Sequence, residues 1–202
     1  MSGGVTGFVL AGGASSRMGR DKAWLTVGSQ PLIEIVRRRL RPHVDRVTIV
    51  GHAANADRFR ELDVDDVVID LKPACGPLMG IYSGLMSSDT PLNLFVSCDM
   101  PCVDGTVIQR LVERCDGAAR IVASRHPMEG PQPFPLVCHL SVCRAIGALL
   151  DRGERSLQAL LRQPQAALVT MDDPGLWRSF TNVNSPADYA KLQDAWSLPR
   201  RS

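Results

Sequence analysis

The sequence predicts a single-domain α/β protein, a three-layer α/β/α sandwich with a mostly parallel central sheet. Three observations predict it. Short apolar runs alternate with helix-period stretches from residue 5 to about residue 124, the rhythm of repeated βαβ units. The chain has 202 residues, a length that one domain commonly reaches. No internal repeat and no Pro/Gly/Ser-rich linker divides it. We read 1–202 as one domain, with a regular half over 1–124 and a closing half of different rhythm over 125–202.

The elements follow in order. Val5 to Leu10 is an apolar run closed by Ala11, Gly12 and Gly13, which reads as a buried strand ending in a glycine loop. Leu32, Ile33, Ile35, Val36 and Leu40 form a helical stripe behind Pro31, a residue suited to a helix start. Arg46 to Val50 reads as a strand, Ala53 to Leu62 as a helix, and Val67 to Ile69 as a strand ending at Asp70. After Gly76 and Pro77, residues 78–87 read as a helix. Leu92 to Ser97 reads as a strand ending in Cys98, Asp99, Met100 and Pro101. Thr106 to Cys115 reads as a helix and Arg120 to Ser124 as a strand. Past residue 125 the rhythm breaks. Proline-rich 126–133 reads as a loop, and 134–138 as a strand. Helices are expected over 141–150 and 156–163, with a strand over 166–171. Asn182 to Pro186 reads as a turn with Ser185 as N-cap and Pro186 as the first residue of a helix ending near Trp196.

Composition excludes several classes. Hydrophobic residues make up 45% and charged residues 22%, as in ordinary globular domains, so disorder, collagen and coiled coil do not fit. The formal net charge is +2, without the strong basic excess of a dedicated nucleic-acid binder. No apolar run approaches the roughly 20 residues that span a bilayer. The N-terminus lacks a basic stretch ahead of an apolar one, so no secretory signal is read. The six cysteines contain no Cys-x-x-Cys pair and read as reduced, mostly buried thiols. A cytoplasmic location is expected.

The segment LAGGASSRMGRDK, residues 10–22, carries the chemistry. Paired glycines after a strand let backbone N–H groups converge on a ligand. Ser15 and Ser16 add hydroxyls, while Arg17 and Lys22 add positive charge. Donors with cations make a phosphate cradle; a plain turn with a solvated arginine is the competing reading. Five residues separate Gly13 from Gly19, and Arg20 follows, so this is not a P-loop; the dinucleotide G-x-G-x-x-G is also absent. Ligands of parallel sheets sit beyond the carboxyl ends of the strands, where Asp70 and Asp99 also fall. Asp99 can hold Mg²⁺ against phosphate oxygens or cap a turn. Asp70 can bind metal, accept from ligand N–H groups, or cap its loop. Gly76, Pro77 and Gly80 bring backbone close to a ligand at a helix entrance. Asn182 and Asn184 are candidate ligand contacts or ordinary turn residues. Arg37, Arg38, Arg39 and Arg41 read as a solvated helix face, or as a docking surface for an acidic partner or anionic ligand.

These residues carry a resemblance. The first loop, Pro31 with Leu32, Asp70, Gly76-Pro77-Leu78-x-Gly80, Cys98-Asp99-x-Pro101 and Asn182 to Pro186 resemble, in order and over nearly the whole chain, the molybdenum cofactor guanylyltransferases. The resemblance implies a Rossmann-like nucleotidyltransferase fold. It implies transfer of GMP from GTP to the terminal phosphate of molybdenum-loaded molybdopterin, with release of pyrophosphate. Leu10, Ala11, Gly12 and Gly13 would then contact nucleotide. Lys22 and Arg17 would bind and neutralise phosphate. Asp70 would contact the guanine nucleotide, and Asp99 would bind Mg²⁺ close to GTP. Asn182 and Asn184 would lie near the reacting groups or the pterin. Lys22, Arg17 and Asp99 form the implied catalytic set. Transient contact with other molybdenum cofactor biosynthesis proteins or recipient apo-enzymes is implied as well.

The sequence departs from the pattern at Ser185, where Thr is common, at Val50, where some relatives carry a polar residue, and over 126–135. A phosphate monoester is already ionised near neutral pH, its second pKa being about 6. Positioning and charge neutralisation therefore suffice, and no general base is needed. The scattered His43, His52, His126 and His139 read as structural or surface residues. The alternatives are a cytidylyltransferase for the same cofactor, a sugar-phosphate nucleotidyltransferase, and a non-catalytic nucleotide-binding accessory protein. Ala11-Gly12-Gly13, where the cytidylyltransferases tend to have Ala-Ala-Gly, argues for guanine.

Overall fold

Strand β1 (Val5–Leu10) is apolar on both faces because it becomes the inner strand of a sheet covered on both sides. The computed structural model describes residues 4–12, 21–72 and 75–197. In it β1 lies between two parallel neighbours, β4 (Arg46–Gly51) and β6 (Leu92–Ser97). A two-residue-strand hairpin, β2 (Thr26–Val27) with β3 (Gln30–Pro31), stands apart from the main sheet. β5 (Asp66–Ile69) extends the sheet beyond β4. On the other side come β7 (Ile121–His126), β8 (Gly130–His139) and β9 (Ala166–Thr170). The seven strands run in the order β5-β4-β1-β6-β8-β7-β9. Only β8 runs against its neighbours, so the sheet is mostly parallel.

Alternation along the strands builds two cores. Val9 and Ala11 of the first strand and its exit, with Leu94 and Val96 of β6, join the cluster containing Ile33, Val36 and Leu40 of α1 (Leu32–Leu40), Phe59 of α2 (Ala56–Arg60), and Val107, Ile108 and Leu111 of α4 (Gly105–Arg114). Phe8 and Leu10 join the opposite cluster, with α3 (Pro77–Ser87), α5 (Cys143–Asp151) and α6 (Leu157–Leu161). Phe8 pairs with Phe95 in register and stacks on it at 4.9 Å between ring centroids. Each such buried side chain contributes about 1.5–3 kcal/mol relative to exposure. A third, smaller cluster joins Val27, Leu32 and Ile35 to Val183 and Leu192, seating α7 (Pro186–Ser197) on the small hairpin.

The expected strands and helices of residues 5–124 are present with shifts of one or two residues, except that 53–62 divides into a 3₁₀ turn (Ala53–Asn55) and the shorter α2. Beyond residue 125 the expectations need more correction. The loop expected over 126–133 is instead the body of a hairpin: β7 runs to His126 and β8 begins at Gly130. Pro131 and Pro133 concealed it, since proline cannot donate to a ladder. They are tolerated because β8 pairs with β6 only from Leu136 to His139, leaving the proline-rich part free on that side. A bulge between Ala123 and Ser124 relaxes the register on the β7 side. The helix expected over 141–150 begins as a 3₁₀ turn (Leu140–Val142) before α5, and the one expected over 156–163 is the shorter α6, capped by Ser156 accepting from the Ala159 amide at 3.2 Å. A 3₁₀ segment over Pro174–Phe180 was not expected from the sequence.

The arginine run of α1 is not simply a solvated face. Arg37 is buried and ion-paired with Glu34 at 2.7 Å and Asp63 at 3.2 Å. Arg39 donates to the Val103 carbonyl at 3.1 Å. The Arg37 guanidinium holds the Glu34 carboxyl below its ordinary value, against the opposing effect of burial.

Candidate active site

The carboxyl ends of four strands are tied together. The Ala11 amide donates to the Val50 carbonyl at 2.8 Å, Cys98 to Leu10 at 3.0 Å, and Asp70 to Gly51 at 2.9 Å. Residues leaving these strands therefore emerge side by side. The chain passes from β1 to β4 and β5 on one side and returns to β6 on the other, so β1 and β6 flank the switch point where such sheets bind ligands.

Lys22, Asp99 and Asn184, remote in sequence, meet at this edge. Lys22 opens a 3₁₀ turn (Lys22–Trp24) capped by Asp21, whose carboxylate accepts from the Ala23 amide at 3.1 Å. Lys22 Nζ donates to Asn184 Oδ1 at 2.9 Å and lies 3.5 Å from Asp99 Oδ2. Asp99 follows β6, and its carbonyl accepts from the amide of buried Val183 at 2.9 Å. That bond draws the 182–185 turn across the sheet end. A capping box then sets the turn. Ser185 Oγ accepts from the Asp188 amide at 3.2 Å, and Asp188 Oδ2 accepts from the amides of Asn184 and Ser185 at 3.1 and 2.9 Å. The Ser185 hydroxyl, followed by these amides, holds the Asp188 carboxyl below its usual range. Asn182 is exposed in the same turn and takes no part in the bonds to Lys22. Gly13 and Arg17, with Ser15 and Ser16, lie outside the described residues.

A small open cleft lies at the same strand ends. Leu10, Gly12 and Asp70 form one side, and Gly76, Pro77 and Gly80 at the start of α3 form another. Val50 and Ser97 lie at the strand ends beneath, and Phe134 of β8 closes a wall. Gly76 has φ +81°, and a Cβ there would stand 3.1 Å from the Arg155 carbonyl oxygen, so only glycine suits this entrance. Asp70 Oδ2 stands 3.7 Å from the place of a Cβ on Gly12, so the carboxylate faces the glycine loop. Its Oδ1 is 3.1 Å from the hydroxyl of buried Ser83. Ser83 was not singled out from the sequence; its signal was a polar residue on the apolar face of residues 77–87. Phe134 and Asn55 gave no signal, because only segments remote in sequence place Phe134 in the cleft wall and Asn55 against Asp21.

The donor set matches a particular metal chemistry. Asp99 offers a hard carboxylate oxygen, its side chain 15% exposed, beside a cation and two residues beyond Ser97, which lines the cleft. That fits a divalent ion held by one carboxylate together with substrate phosphates and water. Among the described residues no cluster of three or more His, Cys, Asp or Glu side chains forms a closed cage. Burial, and after it the charges of Asp99 and Asp21, push the adjacent Cys98 thiol far up, so it is no nucleophile here. His126 is engaged elsewhere, 4.5 Å from the Trp177 ring and accepting from the Met128 and Glu129 amides. No helix among the described residues is long and apolar enough to cross a membrane.

Residues 7–168 match the profile of the MobA-like NTP transferase domain. The chain is 32% identical over 198 residues to a molybdenum cofactor guanylyltransferase of Burkholderia ambifaria, covering 93% of this chain and 95% of that one. It is 31% identical to the protein of that name from Vibrio parahaemolyticus, over 91% and 92% of the two chains. Among solved structures, the molybdopterin-guanine dinucleotide biosynthesis protein A of Archaeoglobus fulgidus is similar in fold. Its TM-score is 0.82, with 21% identity, over 95% of this chain and 98% of that one.

Proposed function

This chain belongs to the MobA-like NTP transferase family, and from that premise we propose that it is a molybdenum cofactor guanylyltransferase. The reaction is attack by the terminal phosphate of molybdenum-loaded molybdopterin on the α-phosphorus of GTP. A P–O bond forms to the acceptor phosphate, the bond to the β-phosphate oxygen breaks, and pyrophosphate leaves. The observation that carries the reading is the convergence of Lys22, Asp99 and Asn184 beside a glycine-lined cleft at the switch point of the sheet.

The roles follow from chemistry. In the reading, the Leu10, Ala11 and Gly12 backbone, with Gly13 beyond it, approaches the nucleotide. The Asp70 carboxylate is an acceptor-only group and suits the paired N–H donors on the edge of guanine. Cytosine presents an acceptor there, which disfavours the cytidylyltransferase alternative. Lys22, with Arg17, neutralises phosphate charge. Asp99 is the group that would hold Mg²⁺, which when bound draws charge from the α-phosphate and the departing pyrophosphate. Asn184, and Asn182 beside it, orient the reacting groups or the pterin. The acceptor arrives already ionised, so the chain's task is orientation and charge balance. The engaged state of His126 supports a route without a histidine base. Residues 1–124 supply the nucleotide side and 125–202 the acceptor side, through the 182–185 turn. The finished cofactor must pass to a recipient apo-enzyme, so transient contact with such proteins belongs to the proposal.

Parallel titrations of the protein with GTP, CTP, ATP and UTP in Mg²⁺ test it, followed by pyrophosphate release with molybdenum-loaded molybdopterin. Selective GTP binding and acceptor-dependent pyrophosphate release are expected. Selectivity for CTP, or nucleotide binding without turnover, overturns the reading.

A further inference from the structure

Lysine is a flexible four-carbon stem carrying a point charge. Its ammonium is placed only as well as its backbone origin is. The turn that carries Lys22 is anchored on both sides to one neighbouring segment. On the N-terminal side, Asp21 Oδ2 accepts from Asn55 Nδ2 at 2.7 Å, while Asp21 Oδ1 caps the turn. A carboxylate can only accept, which fixes Nδ2 as the donor. On the C-terminal side, the Trp24 ring stacks on Phe59 at 5.7 Å between centroids, and the Arg58 guanidinium carbon lies 3.6 Å from the Trp24 ring centroid. Asn55 ends the 3₁₀ turn before α2, and Arg58 and Phe59 lie within α2.

The Asn55–Asp21 bond is not needed to dock α2. Phe59 and Ala56 already bury that helix, and Asn55 itself is only half-buried. The bond does act on the residue next to Lys22, at a distance of 34 positions along the chain. We propose that Asn55 is a positioning residue for nucleotidyl transfer: through Asp21 it sets the turn from which Lys22 reaches the phosphates. The inference rests on the reading of Lys22 as a phosphate-binding group. Misplacement of a charged group by about 1 Å can cost on the order of a hundredfold in rate. Loss of one of two anchors should cost less, about tenfold.

The test is a double-mutant cycle in the full chain with GTP and molybdenum-loaded molybdopterin. Asn55→Ala should lower kcat/KM for GTP about tenfold while leaving KM for the acceptor and the melting temperature unchanged. In a Lys22→Ala background the same change should have less than about a twofold effect, because the group it positions is gone. Asn55→Asp sets two carboxylates against each other and should be worse than Asn55→Ala. Adding Asp21→Asn restores a donor–acceptor pair and should recover activity to within about threefold. This swap keeps side-chain size and so guards against a folding defect in the alanine variant. If Lys22→Ala is itself fully active, the phosphate reading of Lys22 fails, and this inference with it. If Lys22→Ala is impaired but Asn55→Ala is fully active, or costs as much with Lys22 absent as with it present, or if the swap does not recover activity, the role of Asn55 alone is overturned.

Discussion

At the scale of the residue, the Lys22–Asp99 pair shows why site and stability separate. Both side chains remain accessible to water, at 19% and 15% exposure, and the separation is 3.5 Å. Such a pair contributes at most about 1 kcal/mol to folding. The backbone carbonyl of Asp99, which draws in the Val183 amide, is untouched by a side-chain change. Asp99→Ala should therefore lower turnover at least a hundredfold, the order of a lost electrostatic contact in a transition state, and move the melting temperature by no more than a few degrees. Steady-state pyrophosphate release and a thermal melt check this, and full activity in the variant would remove Asp99 from the site. Residue type and spacing marked Lys22, Asp70 and Asp99 as candidates in the sequence. Ser83 and Asn55 were not, because an isolated serine or asparagine acquires its meaning only from the carboxylate it faces.

At the scale of the element, a helical stripe identified α1 and the helices expected over 78–87 and 106–115 are present as α3 and α4 within one residue, while capping chemistry identified the start of α7. The arginines of α1 show the limit of pattern. Period alone assigns a charged run to solvent, yet Arg37 turns inward because Glu34 one turn earlier and the carbonyl of Asp63 satisfy it. Removing Arg37 takes the main partner from half-buried Glu34 and leaves it only Arg38 at 2.6 Å, so Arg37→Leu should destabilise by about 1–2 kcal/mol at pH 7. The pH dependence follows from linkage. The Glu34 carboxyl is held below its ordinary value of 4.5, chiefly by the Arg37 hydrogen bond. Its contribution is thus complete above that value and is lost as pH falls through the depressed folded-state value. The gap between wild type and Arg37→Leu should be widest at pH 7 and narrow between pH 5 and pH 3. Urea melts across that range measure it; a gap independent of pH would show that Arg37 acts through packing alone.

At the scale of the whole molecule, the two cores on either face of the sheet account for the cysteines. Cys98 and Cys138 lie in opposite clusters, and Cys115 is buried at the end of α4. Burial raises all three thiols, Cys115 to about 11. A thiol reagent at pH 8 should therefore modify at most Cys75, Cys102 and Cys143 in the folded protein, and all six after denaturation. Rapid reaction of Cys98 without unfolding would show that the sheet end is more open than its packing indicates. The 126–139 hairpin belongs to this scale as well: Pro131 and Pro133 argued against a strand, and the absence of a β6 partner along residues 130–135, with the bulge on the β7 side, makes them acceptable.

The sequence by itself determined the alternation of strands and helices up to residue 124, the order of the loop motifs, and the class of chemistry they carry. Local period, turn chemistry and charge are properties of neighbouring residues, and so they can be read along the chain. Only the tertiary structure decided that Lys22 meets Asn184 across 162 positions, that Ser83 faces Asp70, that Asn55 holds the turn of Lys22, and that Arg37 is buried. Those are contacts between segments whose approach is set by strand order and helix packing, and no local pattern records them.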